Sequence, residues 1–356
     1  MCDSSYHAAM FTPGDHSPLL GRAKDVADRV LYPAAQQVDQ SPRVPQSHFV
    51  ALATAGLFDL TGPSSEIRRT LATIAGGCGA TFFVWAQHHG VVSTLQNSDN
   101  ADLVERWLGP LRAGSTIAGV AFAHLRRTGT PAIRATPAPG GWNLSGVAPW
   151  ATSWGIAECF AVAAVTDDGR AVWVLLPGVE QSPSYRATSL ELAVLQATGT
   201  VAFHFDHHHV GHADVLRIDD LAQWQVADRS RAAQGQTGVL GVTERAIDEL
   251  EGLGGSDELA AAAGQRLRAR LDDLWRTDDA FGANLPECES AIAEASEHRA
   301  ECLRLGHTAT TAFLAASGGR GMDLSHPAQR LARETAFYVI QAQTGDGRSA
   351  VLRRAN

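Results

Sequence analysis

GWNLSGVAPWATSWGIAECFAVAA, residues 141–164, decides how the chain is read. Its first ten residues alternate apolar and polar behind Gly140-Gly141, as a half-buried strand does. From Cys159 the run CFAVAAVTDDGRAVWVLL reads as a hairpin, with Asp168-Gly169 in its turn. GSTIAGVAFAH before this stretch and TVAFHFDHHHV after it are β-rich as well. Together they predict a small antiparallel sandwich or barrel from about Ile117 to about Leu216.

Helical spacing appears on both sides. On the N-terminal side, residues 18–38 carry apolar positions at helical intervals, and Ser64 or Ser65 after Pro63 reads as a helix cap. LATIAGGCGATFFVWA, residues 71–86, reads as one buried helix, too short for a membrane span. Asn97–Asn100 reads as a turn and Ala101–Leu108 as a short helix. On the C-terminal side, helices are expected over 228–253, 256–278, 286–317 and 327–343. Gly252, Gly254-Gly255 and Gly318-Gly319 serve as stops and Pro327 as a start. The expected class is α+β: a helical N-terminal domain (1–115), a small antiparallel β-domain (116–216) and a C-terminal four-helix bundle (217–356). This order lacks the βαβ alternation of a nucleotide-binding α/β sheet, and no GxGxxG follows a strand.

Composition narrows the function classes. The chain has 356 residues, 45% hydrophobic, with a formal charge of −9. That disfavours a protein that grips a phosphate backbone, so no nucleic-acid partner is expected. Lys24 is the single lysine, which leaves almost no candidate for Schiff-base chemistry. The nearest pair among the five cysteines, Cys288 and Cys302, is fourteen positions apart, so zinc-type spacing is absent. The polar start, without a charged-then-apolar leader, together with an odd cysteine count reads as a cytoplasmic chain with reduced thiols.

Four segments, in order, resemble the acyl-CoA dehydrogenase family. Residues 141–164 are similar to its "GYxLxGxKxWITNGxxADxxVVxA" segment, and LAVLQATGTVAFHFDHHHV (192–210) to "LGxxxSxTxxVxFDDVxVP". GVLGVTERAIDEL (238–250) resembles the start of the central helix, and SGGRGMDLSHPAQRLARETAFYVIQ (317–341) the family's C-terminal "LGGxGYxxxxPxExLxRDA" pattern. The resemblance implies FAD held between the β-domain and C-terminal helices. It also implies a homodimer or homotetramer acting on an acyl thioester or related small molecule.

Carried over residue by residue, Trp150 and Thr152 fall at the flavin, Thr152 near N5, with Ser153 beside them. FAHLRRTGTP (122–131) resembles "CVTEPxAGSD", which puts Thr130 on a phosphate contact and His124 on a contact to the flavin ring. An N–H of His124 there would stabilise negative charge at N1/O2 of the reduced ring. Gly318-Gly319 match the glycine turn at the adenine end, and Thr344 closes Gln341-Ala342-Gln343-Thr344, which takes the place of the family's Y-E-G-T turn.

The departures bear on chemistry. The RxxFG arginine that contacts pyrophosphate is missing after Leu250, and Ala342 stands where the dehydrogenases carry their catalytic Glu. The alternative base position falls on Arg231, or on Ser230 with a one-residue gap, and neither is a carboxylate. Desaturation of a thioester needs a base for the α-proton as hydride leaves the β-carbon. Three readings follow: a dehydrogenase with a displaced base, a flavin-dependent monooxygenase in which reduced flavin reacts with O2, or a catalytically incomplete subunit paired with an active paralogue.

Other residues carry alternative roles. His124 and His89 (or His88) are candidate replacement bases, against a hydrogen-bonded helix-end histidine. Arg229 and Arg231, read at the start of a cavity-lining helix, would pair an anionic substrate group, against an interface salt bridge. Arg126-Arg127 would meet an anion or lie on a solvated loop. Glu158 reads as a structural strand-start acid. The run His204, His207, His208, His209 and His212 allows a metal shared by His207 and His209, against an exposed strand end; no metal is expected.

Overall fold

The computed structural model describes residues 18–354 other than Thr128 and Ala283. Cys2 and the polar start lie outside the described residues. Six helices come first: α1 (Pro18–Val26), α2 (Tyr32–Asp39), α3 (Gln46–Thr54), α4 (Ser64–Gly77), α5 (Gly79–Gln96) and α6 (Ala101–Ala113). Eight strands follow: β1 (Ala118–Ala121), β2 (Ile133–Ala138), β3 (Gly141–Ala151), β4 (Cys159–Val165), β5 (Arg170–Pro177), β6 (Tyr185–Ser189), β7 (Val201–Gly211) and β8 (Val215–Asp220). The chain ends in α7 (Leu221–Ala233), α8 (Thr237–Gly252), α9 (Glu258–Phe281), α10 (Glu289–Ser317), α11 (Pro327–Ile340) and α12 (Gly345–Arg353). Among the described residues no helix is long and apolar enough to cross a membrane.

By packing, the described residues form two compact units: residues 28–60 with 77–229, and residues 18–27, 61–76 and 230–354. The first is built on the sheet, ordered β6-β7-β3-β2-β4-β5-β8, with β1 beside β4. It is mostly antiparallel, but β1–β4 and β2–β4 are parallel. The expected hairpin is β4–β5, and Gly169 takes φ 82° in its turn, a conformation that glycine adopts without strain. Strand β4 is buried at every position, which explains its unbroken apolar run. Its odd-numbered residues Cys159, Ala161 and Ala163 join Leu95 of α5, Leu111 of α6 and Trp224 of α7 in one core. Phe160, Phe203, Tyr185 and Trp154 form a second cluster with ring centroids 5.0–6.2 Å apart.

The second unit is a bundle of α8, α9, α10 and α11 with α12 and most of α4. Helices α4 and α8 meet at glycines. A Cβ on Gly241 would lie 1.9 Å from the carbonyl oxygen of Ala72, so no larger residue fits this contact. A buried polar cluster reinforces the bundle: Arg68 Nε donates to Asp278 Oδ2 at 2.7 Å, and Gln236 Nε2 donates to Asp278 Oδ1.

Three elements differ from the sequence reading. Residues 71–86 are two helices, because Cys78 is extended (φ −156°, ψ 111°), and this break coincides with a boundary between the units. The expected helix 228–253 is broken between α7 and α8, where Arg299 Nη1 takes the carbonyl of Ala232 at 2.7 Å. Helix α11 stops at Ile340, three residues early. Arg299 also donates to the carbonyls of Gln341 and Ala342, and Ala342 turns to φ 48°.

Candidate functional site

Sheet pairing brings part of the sequence-derived set together in the first unit. Strand β1 reaches the end of β3 through a bridge between Val120 and Thr152. The chain then leaves β1 in a single turn, residues 123–126, that lays the His124 ring against β4. His124 Nε2 donates to the carbonyl of Ala163 at 2.8 Å. Because a carbonyl accepts only, Nε2 carries the hydrogen, and Nδ1 of the neutral ring is a bare acceptor. Nδ1 is buried with no hydrogen-bond partner, and burial pushes the pKa down to about 4. The expected N–H donation from His124 is thus held by Ala163 in the neutral ring.

A hydroxyl chain fixes the neighbouring polarity. Thr198 Oγ1 donates to the carbonyl of Leu195 at 2.8 Å and lies 2.9 Å from Thr200 Oγ1, which lies 3.2 Å from Thr152 Oγ1. Each hydroxyl has one hydrogen, so Thr200 donates to Thr198 and Thr152 donates to Thr200. What Thr152 has left are lone pairs. Ser153 is fully buried at φ 85°, held by its N–H to the Thr198 carbonyl at 2.9 Å, and its Oγ has no partner. A non-glycine residue in this region with an orphaned hydroxyl is the kind of strain found at functional sites. Trp150, on the same strand, is 46% exposed, an unusual position for an indole.

Other candidates resolve differently. His88 is satisfied on both nitrogens: Nε2 donates to Leu111 O at 3.0 Å and Nδ1 accepts from Ala118 N at 3.1 Å. It is a structural link between α5, α6 and β1. His89 packs edge-on against Trp85 at 4.8 Å, and its Nε2 is buried without a partner; burial lowers its pKa to about 4. Arg229 and Arg231 lie near the C-terminal end of α7 instead of at a helix start, where their charge suits the negative end of the helix dipole. Arg126 is not on a solvated loop. It grips buried Asp228 by Nε to Oδ2 at 2.7 Å and Nη2 to Oδ1 at 3.0 Å. Arg127 and Thr130 are exposed.

The His204–His212 run contains a β-bulge: His208 pairs with Leu144 and Phe205 with Gly146, so Asp206 and His207 together oppose Ser145, with His207 at φ 49°. This turns His208 inward and leaves His207 and His209 exposed. Among the described residues no group of three or more His, Cys, Asp or Glu is placed to hold a metal.

The second unit holds the rest. Gly318 has φ 58°, and a side chain at Gly318 or Gly319 would meet nothing within 4 Å. Thr344 caps α12 by accepting from Gly347 N.

No family model matches the chain. One curated relative, the mitochondrial short-chain specific acyl-CoA dehydrogenase of Bos taurus, is 23% identical over 168 residues, 44% of this chain and 41% of that protein. The matched stretch thus spans less than half of the relative. Among solved structures, a glutaryl-CoA dehydrogenase from Mycobacterium smegmatis in complex with FADH2 superposes with a TM-score of 0.78. It is 16% identical and covers 94% of this chain and 92% of its own. The chain has the acyl-CoA dehydrogenase fold. A dibenzothiophene monooxygenase from a Paenibacillus shares this fold with a TM-score of 0.74, at 14% identity and over 94% of this chain and 96% of that one.

His124 after β1 and Thr152-Ser153 after β3, with β1 bridged to Thr152, make up a β1–β3 wall. Two buried orphan atoms, His124 Nδ1 and Ser153 Oγ, need hydrogen-bonding partners that the protein does not provide. Of the residues expected at the flavin, His124, Thr152 and Ser153 lie close to β1 and the end of β3. The Arg126–Asp228 pair and Arg299 carry no signal at the level of local pattern, because their partners lie 102 and 67 positions away.

Proposed function

We propose that this protein is an FAD-dependent oxidoreductase acting on an acyl thioester or related small molecule. The observation that carries the reading is the polarity of the wall. His124 Nδ1 and Thr152 Oγ1 both present acceptors, beside the unpaired Ser153 hydroxyl. Trp150, Thr152, Ser153 and His124 would hold the ring, with Thr130 toward the phosphates, in a homo-oligomer of the three-part organisation 1–115, 116–216 and 217–356. FAD supplies two-electron chemistry when bound.

The residues also bear on which oxidation is performed. Ala342 and Arg231 leave both usual base positions without a carboxylate, and Asp228 is locked to Arg126. A ring edge lined by acceptors suits N–H groups, which reduced flavin has in greater number, and reduced flavin forms in either chemistry. The missing base favours monooxygenation with O2 over thioester desaturation, with reduced flavin supplied by a partner reductase. Desaturation would require His124 or His89 as base, and each is a weak base at its lowered pKa.

Two assays separate these readings. Anaerobic addition of an acyl-CoA panel to the FAD-loaded protein bleaches the flavin if it is a dehydrogenase. Oxygen uptake with pre-reduced flavin, coupled to oxidation of an added small molecule, supports the monooxygenase. Loss of both activities despite bound flavin overturns the proposal in favour of a subunit completed by a paralogue.

A further inference from the structure

A cavity of about 290 Å³, open to solvent, lies wholly within the sheet-bearing unit and is lined by Arg106 and Trp107 of α6, Glu158, Gln181, His208, His209 and Asp214, over an apolar floor from the ends of β4, β5 and β7. The bulge at Asp206–His207 is what turns His208 into this lining. Bulges beside ligand sites commonly re-aim one side chain in this way.

The ring of His208 is oriented by a relay. Ser184 Oγ donates to the carbonyl of Gln181 at 3.2 Å, so it accepts from His208 Nδ1 at 3.0 Å. Nδ1 therefore carries the hydrogen, and Nε2 is left as an acceptor on a ring that lines the cavity. Burial, and then neighbouring His209, lowers the pKa of His208. Tyr185 and Phe205 hold its faces at 5.6 and 6.0 Å.

The charges are unequal. Arg106 leans on Asp214 at 3.8 Å, which offsets one carboxylate. Glu158, at the exposed rim, uses Oε2 to accept from the Ile117 N–H at 2.7 Å, and with Asp214 it gives the lining two carboxylates against one cation, Arg106. The surplus is one negative charge and one neutral acceptor, beside an indole and an apolar floor. We propose that this cavity binds a small primary ammonium, with its N–H groups on Glu158 and His208 Nε2 and a short alkyl portion on the floor.

The test uses the full-length protein loaded with FAD, titrated calorimetrically with n-butylammonium and separately with n-butanol, which has the same alkyl chain without the charge. The expected result is saturable one-to-one binding of the amine, at least tenfold tighter than the alcohol. Glu158→Gln keeps an acceptor for the Ile117 N–H and is expected to weaken the amine at least tenfold while leaving the thermal midpoint near wild type. Asp214→Asn, as a second variant on the opposite rim, is expected to weaken it less. Absence of saturable amine binding, or equal affinity for amine and alcohol, overturns the proposal, as does an unchanged affinity in folded Glu158→Gln. The flavin spectrum recorded in the same samples reports the other site independently, so failure here is distinct from failure of the flavin reading.

Discussion

Arg126 and Asp228 are joined by two parallel hydrogen bonds, Nε–Oδ2 at 2.7 Å and Nη2–Oδ1 at 3.0 Å, with Asp228 buried and the guanidinium set over the Phe122 ring at 5.3 Å. The carboxylate nearest the displaced base position is therefore an anchor tying α7 to the turn that carries His124. Replacing Arg126 with Ala strands a buried charge, and a loss of about 3–5 kcal/mol is expected in urea unfolding. The double replacement Arg126→Met with Asp228→Leu is expected to recover most of that loss. A double variant as unstable as the single one would contradict this role.

Arg299 joins two chain breaks within the bundle. Its guanidinium reaches the Ala232 carbonyl at the end of α7 and the Gln341 and Ala342 carbonyls at the end of α11. Lysine cannot make this fork, so Arg299→Lys is expected to cost about 2–4 kcal/mol. Ala342, held at φ 48°, gives the opposite result. Ala342→Gly is expected to stabilise by about 0.5–1 kcal/mol, relief of left-handed strain less the added chain entropy of glycine. Thermal unfolding of the two variants measures both signs.

Stability should fall on mild acidification. Burial holds the pKa values of His88, His89 and His124 at about 3, about 4 and about 4, against 6.5 in an unfolded chain. Between these limits the unfolded chain binds protons that the folded one does not. Each histidine then removes about 1.4 kcal/mol of stability per pH unit as pH falls from 6.5 toward 4, and adds no slope above pH 7. Urea midpoints measured from pH 7.5 to 5 test this, and a flat profile would contradict the buried neutral state.

His88 is a structural residue with both ring nitrogens occupied. His88→Ala leaves the Leu111 carbonyl and Ala118 N–H unsatisfied beside a new void, and is expected to cost about 3–5 kcal/mol. His88→Gln, which offers both a donor and an acceptor, should recover part of this. Flavin retention by His88→Gln equal to wild type would separate its role from that of His124.

The order of helices and strands was legible because periodicity and turn chemistry are local. Alternation along β3, Asp168-Gly169 in the β4–β5 turn and Pro327 at the start of α11 each act over a few residues. The breaks at Cys78 and between α7 and α8 were not legible. One coincides with a unit boundary inside an apolar run, and the other is held by Arg299, 67 positions from Ala232. The residue types of the site were visible through motifs, but their polarity was not. Whether His124 gives or takes a hydrogen depends on the Ala163 carbonyl, 39 positions away, and the direction of the Thr152 hydroxyl depends on Leu195. The bulge that reverses the facing of His207 and His208 likewise depends on pairing with Ser145.

If the β1–β3 wall holds a flavin, the protein retains FAD through desalting. The purified protein is mixed with FAD, desalted, and its visible spectrum recorded beside those of His124→Ala and Ser153→Ala. Flavin bands are expected to be retained by the wild type, with a roughly tenfold weaker affinity in each variant, about 1.4 kcal/mol for a lost buried hydrogen bond. A wild-type protein that releases all flavin, or variants that retain it as tightly as the wild type, would contradict the assignment of the β1–β3 wall as the flavin site.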